Sequence, residues 1–151
     1  NHDTGYVHNY KNFKFRKTIV KALKYISKKN YYIFIVTNQA GIGRGKFKLF
    51  HLEQMHKKLK DFFIKKNIKI DDVRYCPHHP EAKIKKYKKN SQFRKPGNLM
   101  IKSLIKNWPI KMSKSFMIGD QKTDKICAKK SKLYFEFVEK NTFEQFKRLT
   151  D

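Results

Sequence analysis

The sequence predicts an α/β fold, a parallel sheet covered by helices on both faces, and three observations predict it. Apolar residues recur at helical spacing in several segments, short apolar runs of strand length lie between them, and the two patterns alternate along the chain. With 151 residues the chain fits one domain, residues 1–151, large enough to hide roughly two-thirds of its unfolded surface.

The first helix is expected over 16–29, where Ile19, Val20, Leu23 and Ile26 share a face, and Tyr32-Ile33-Phe34-Ile35-Val36 then reads as a buried strand. A second helix over about 47–66 carries Leu52, Met55, Leu59, Phe62 and Phe63, and Asp72 to Tyr75 follows as a short strand. From Cys76 to Lys95 the periodicity gives way to Pro, His, Lys and Asn, the mark of a long surface loop, and such loops often carry function. A third helix from Gly97 to Trp108, a strand Ser115 to Ile118, a short helix near 123–131, a strand Leu133 to Val138 and a final helical turn complete the order. Ligands of open parallel sheets bind beyond the carboxyl ends of the strands. Those positions hold Thr37-Asn38-Gln39, the Cys76-Pro77-His78-His79 loop and Gly119-Asp120.

Composition narrows the function classes. No run approaches the roughly 20 apolar residues of a membrane span, and Asn1 to Tyr6 lacks the basic start and apolar core of a secretory signal. The absence of an initiator Met reads as a chain cut from something longer. Cys76 and Cys127 form no disulfide framework, so a reducing cytoplasm is the default. The 37 Lys and Arg against 12 Asp and Glu give +25, a field that attracts polyanions. These lysines are scattered among many Asn, Ile, Phe and Tyr, as AT-rich coding sequence produces, so the charge predicts salt-sensitive attraction and no specific nucleic-acid partner.

Three strings carry chemistry. Thr37-Asn38-Gln39-Ala40-Gly41-Ile42-Gly43-Arg44-Gly45 follows a strand and precedes a helix, where a hydroxyl, backbone N–H groups and glycines that admit close approach suit an anion. In Arg94-Lys95-Pro96-Gly97 two cations stand at a helix start; Arg forks two phosphate oxygens and Lys adds a point charge. Gly119-Asp120-Gln121-Lys122-Thr123-Asp124 places scarce carboxylates after a strand: Asp120 suits Mg²⁺, a hard cation that prefers oxygen, while Asp124 suits either a helix cap or a catalytic role.

Together with Gly5-Tyr6-Val7 and Cys76-Pro77-His78-His79-Pro80-Glu81, these strings resemble the haloacid dehalogenase superfamily, in the family of heptose bisphosphate and histidinol-phosphate phosphatases, in order along the entire chain. The resemblance implies a Rossmann-like sheet without a cap domain, a cytoplasmic monomer and a Mg²⁺-dependent phosphatase that passes through an aspartyl phosphate. It implies that Thr37 and Lys95 hold the transferring phosphoryl group with Arg94 beside them, and that Asp120 ligates Mg²⁺. Asp3, Thr4, Gly5, Tyr6, Thr37, Asn38, Gln39, Ala40, Arg94, Lys95 and Gln121 would contact a small sugar bisphosphate, although Gln121 stands where the family commonly has Lys.

Two departures stand out. The family's Asp-x-Asp nucleophile motif occurs nowhere in the 151 residues; its place is immediately upstream of Asn1, on the first and central strand, so truncation is expected rather than loss. Asp71-Asp72 lies at the wrong end of the sheet to substitute. Relatives also close the long loop with four zinc ligands. Here only Cys76 and His78 remain, with Ser91 and Phe93 in place of the later pair, so structural zinc is not expected even with His79 nearby. The leading expectation is removal of one phosphate from D-glycero-D-manno-heptose 1,7-bisphosphate, on the way to activated heptose for surface polysaccharide. Histidinol phosphate, a nucleic-acid 3′-phosphate and a noncatalytic phosphate-binding remnant are the alternatives.

Overall fold

The computed structural model describes residues 11, 13–16 and 18–151. Two compact units emerge: one comprises the described residues up to Ile35 with Phe47–Val73 and Glu139–Asp151, the other Val36–Lys46 with Arg74–Val138.

In the first unit, α1 (Ile19–Ser27) packs against α6 (Thr142–Thr150). Ala22 and Ile26 are buried on α1 and Phe146 on α6, while the Thr18 hydroxyl accepts from the Thr142 N–H at 2.9 Å and ties the two N-termini together. The final helical turn expected from the sequence is a nine-residue helix, opened by Asn141, whose side chain accepts from Glu144 N–H. On α3 (Leu49–Ile64), Leu52, Met55, Leu59 and Phe63 form one buried face at helical spacing, as predicted. Each such side chain contributes about 2 kcal/mol of transfer free energy. Beyond α3 the chain turns at Asn67, whose φ of 58° suits a residue that tolerates the left-handed region, and Ile68 N–H then reaches Phe63 O at 2.9 Å.

β1 (Phe34–Asn38) and β2 (Asp72–Cys76) form one two-stranded sheet. At their start, Asp71 N–H donates to Ile33 O at 2.8 Å and the Asp71 carboxylate accepts from Ile33 N–H at 2.8 Å. Within the second unit Gln39 N–H donates to Cys76 O at 2.8 Å, so both strands advance in the same direction, as parallel partners do. Ile33 and Gln39 face β2, and by alternation Val36 presents its backbone groups to the opposite edge.

The second unit also holds α2 (Ala40–Gly43), α4 (Leu99–Asn107), β3 (Phe116–Gly119), α5 (Lys122–Lys130) and β4 (Tyr134–Phe137). β3 and β4 pair in parallel, with Phe116 opposite Tyr134 and Gly119 opposite Phe137. Ile101, Met117, Cys127 and Ala128 form their core, with Val36, Ile105, Leu133 and Phe135 packed against it. The predicted alternation is thus realised as two parallel pairs among the described residues.

Two local expectations change. Gly97 belongs to the turn before α4: its N–H donates to Arg94 O at 2.7 Å, and a Cβ there would lie 2.2 Å from Gln92 O. The long loop is also not structureless, since Lys85–Tyr87 makes a 3₁₀ turn and His79 bridges Lys88.

Candidate functional site

The described strings meet inside the second unit, and Lys95 is where they converge. Asn38, the last residue of β1, grips the Lys95 main chain with both ends of its amide: Nδ2 donates to Lys95 O at 3.0 Å and Oδ1 accepts from Lys95 N–H at 2.9 Å. The Lys95 ammonium then donates to Val36 O at 3.0 Å and to Asp124 Oδ1 at 2.5 Å. With the Lys95 and Asp124 side chains only 11% and 4% exposed, this ion pair is largely withdrawn from water and therefore geometrically demanding. Thr37, half-buried one residue before Asn38, receives a bond from Gln39 Nε2 at 3.0 Å.

Asp124 plays two parts. Its Oδ2 accepts from the N–H groups of Asp120 and Gln121 at 3.1 and 3.0 Å, capping α5, while its other oxygen holds Lys95. The helix-cap alternative raised from sequence is therefore realised, and the same carboxylate organises the cation. Gly119 makes this possible, because a Cβ there would lie 2.5 Å from Asp124 Cβ. Asp120 and Gln121 are exposed at the head of α5. The Asp120 carboxylate, exposed at the head of α5, supplies the hard oxygen that suits a Mg²⁺ that keeps most of its waters and takes one or two protein carboxylates. Among the described residues no cluster of three or more His, Cys, Asp or Glu could hold a metal.

Among the glycines after β1, Gly43 serves the packing of the chain itself. A Cβ on Gly43 would come within 2.8 Å of Pro77 O and 3.0 Å of Ala82 Cβ, so it is the 77–82 loop, not a ligand, that takes up this space. Gly45 adopts φ +71°, and Ala40 is buried. In the long loop, Cys76 Sγ lies 3.7 Å from His78 Nδ1, and Ser91 Oγ accepts from Phe93 N–H at 3.2 Å. His79 turns its Nε2 to within 3.2 Å of Arg44 Nη2. Burial and then the charges of Arg94 and Arg44 lower its pKa, against a smaller opposite pull from Glu81. Arg94 Nη1 is buried with no hydrogen-bond partner among the described residues. Asp3, Thr4, Gly5 and Tyr6 lie outside the described residues.

A parallel α/β scaffold, a half-buried Lys bound to the last residue of β1 and a Gly-Asp step at the end of β3 can now be set beside known proteins. The family described as polynucleotide kinase 3 phosphatase matches residues 2–145. D-glycero-beta-D-manno-heptose-1,7-bisphosphate 7-phosphatase of Rhodopseudomonas palustris is 37% identical over 129 residues, 85% of this chain and 72% of that protein. The protein of the same name from Haemophilus influenzae is 37% identical over 124 residues, 82% of this chain and 67% of that one. The chain belongs to the haloacid dehalogenase superfamily, in the family of the heptose bisphosphate phosphatases. The fold agrees: the crystal structure of D,D-heptose 1.7-bisphosphate phosphatase from B. bronchiseptica, complexed with magnesium and phosphate, superimposes with a TM-score of 0.79 at 17% identity, covering 98% of this chain and 79% of that one.

Of the residues expected in this phosphatase site, Asn38, Lys95 and Asp124 are joined by direct bonds, with Asp120 and Gln121 on the same α5 cap. His79, from the loop beyond β2 that the sequence marked, and Lys130, which it did not mark, line one cleft with Arg94 and Lys95. Lys130, at the far end of α5, left no signal among so many lysines.

Proposed function

We propose that the chain carries the phosphate- and Mg²⁺-binding part of a cytoplasmic phosphomonoesterase that removes one phosphate from D-glycero-D-manno-heptose 1,7-bisphosphate, on the way to activated heptose for lipopolysaccharide. The observation that carries this reading is the Lys95 clamp: an ammonium largely withdrawn from water, its main chain fixed by Asn38 at the end of a parallel strand. A fixed cation in a water-poor site stabilises charge on a transferring phosphoryl group without reorganising. Lys95 would release Asp124 in part as the phosphoryl oxygens arrive, and the Thr37 hydroxyl would donate to one of them. Asp120 would hold Mg²⁺, which neutralises phosphate charge when bound. Arg94, Gln39, Ala40, Gln121 and the Asp3 to Tyr6 segment would face the sugar bisphosphate.

Nucleophile and general acid belong, in this reading, to an Asp-x-Asp segment outside the 151 residues, so the chain as given is inactive. The support is chemical: the sequence contains no Asp-x-Asp, and neither Asp120 nor the engaged Asp124 replaces such a pair. Zinc has no part in this reading, since only Cys76 and His78 of the expected ligands are present. The molecule is taken as a monomer with no membrane partner.

A second reading, a nucleic-acid 3′-phosphatase, is favoured by the family description and the +25 charge. Phosphate release from heptose bisphosphate, histidinol phosphate and a 3′-phosphorylated oligonucleotide, measured on the chain extended upstream through Asp-x-Asp, separates these readings. Heptose bisphosphate is expected to have the highest kcat/KM, and Lys95→Met to lower it by about 100-fold or more. A preference for the oligonucleotide would replace the first reading with the second.

A further inference from the structure

Arg44 stands directly after α2, in the string that follows β1, and the phosphatase reading leaves it unused. Its Nε is buried with no hydrogen-bond partner among the described residues, so the outer end of the guanidinium makes its polar contacts. That end reaches the loop beyond β2: Nη2 lies 3.2 Å from His79 Nε2 and 3.8 Å from Glu81 Oε2. His79 Nδ1 faces a second donor, the Glu81 N–H at 3.0 Å. A neutral imidazole accepts at one nitrogen only. Arg44 therefore holds the loop through His79 in one tautomer and through the Glu81 carboxylate in both.

The next part of the loop is seated on α2 by its backbone. Gly43 O accepts from Ile84 N–H at 3.0 Å, Ala82 is buried, and a Cβ on Gly43 would meet Pro77 O at 2.8 Å. His79 N–H donates to Tyr87 O at 3.1 Å, which closes the loop on itself. His79 and Pro80, the part that Arg44 reaches, form one wall of the cleft in which Lys95 stands. On the other side, Asn38 fixes the Lys95 main chain, and α2 starts at Ala40, close behind Asn38. One short stretch of chain, 38–44, thus sets both the Lys95 side and the His79 side of the cleft.

We propose that Arg44 is a positioning residue for the phosphatase reaction. By holding His79 and Pro80 against α2 it keeps the loop wall of the cleft in place before the substrate arrives, and so sets substrate affinity and not the chemical step. This rests on the phosphatase reading and adds to it a residue that touches neither the phosphoryl group nor Mg²⁺.

The loop carries its own reporter. Lys83, Lys85, Lys86, Lys88 and Lys89 are all exposed, so trypsin cuts among them when the backbone opens. In the chain as given, Arg44→Met is expected to speed those cuts about fivefold or more, because cleavage follows the population of the open loop. Arg44→Lys, which keeps the cation but not the planar guanidinium, should fall between. In the chain extended through Asp-x-Asp, Arg44→Met is expected to raise KM for heptose bisphosphate about tenfold, as loss of a wall ordered in advance requires. Its kcat should stay within about twofold, and Arg44→Lys should recover part of the KM. Should Arg44→Met fail to fold, Arg44→Lys decides by the same two measurements. Unchanged cleavage, an unchanged KM, or a fall in kcat as large as the rise in KM overturns the proposal and leaves the phosphatase reading standing. An unaltered extended chain that releases no phosphate overturns that reading, and the substrate role of Arg44 falls with it.

Discussion

Asn38 shows how one side chain fixes another residue's chemistry. Its amide binds the Lys95 main chain at both polar atoms, so Asn38→Ala is expected to cost about 1–3 kcal/mol through two lost bonds. The chain should stay folded but bind inorganic phosphate more weakly, which denaturant melts and phosphate titrations would show. His56 makes a second residue-scale prediction. Burial first, and the charge of Lys60 second, lower its pKa from 6.5 to about 4. The unfolded imidazole protonates near 6.5, so below that pH the unfolded chain binds the extra proton. The stabilising contribution is present above pH 6.5 and is lost as pH falls towards 4. Allowing for partial exposure, the loss is on the order of 2 kcal/mol. Urea midpoints at about pH 7.5 and about pH 5 should differ less in His56→Gln than in the unaltered chain.

Among the elements, the junction of β3 and α5 concentrates the constraint. Gly119 lies where any Cβ would strike Asp124, and Asp124 both caps α5 and pairs with Lys95. Gly119→Ala is expected to destabilise by about 3 kcal/mol, as overpacking does, and to loosen Lys95 with it. An unchanged melting temperature would show that the junction yields. The sequence made most of these elements legible. The helical face of Leu52, Met55, Leu59 and Phe63 has strong periodicity, and the apolar runs at β1 and β3 are continuous and of strand length. The single-turn α2 and the 3₁₀ turn at Lys85–Tyr87 are too short for any period to register. The use of Gly43 was invisible because its neighbours, Pro77 and Ala82, come from a loop more than thirty residues away in the sequence. The Lys95 to Asp124 pair, 29 residues apart, was likewise beyond local pattern, although both residues lay in strings the sequence had marked.

For the molecule as a whole, the +25 charge predicts strong, salt-labile retention on a cation exchanger or heparin. That retention should be nearly indifferent to Lys95→Met, because one cation among 37 changes the field little; phosphate binding, by contrast, should depend on it. The central claim is that this charge surrounds a specific phosphoryl site organised by Lys95 and Asp120. Its most direct test is Mg²⁺-dependent phosphate release from heptose bisphosphate by the chain extended through Asp-x-Asp. Turnover that requires Mg²⁺ and falls about 100-fold or more in Asp120→Asn is the predicted result. A folded extended protein that releases no phosphate, or releases it equally well without Asp120, would contradict the account.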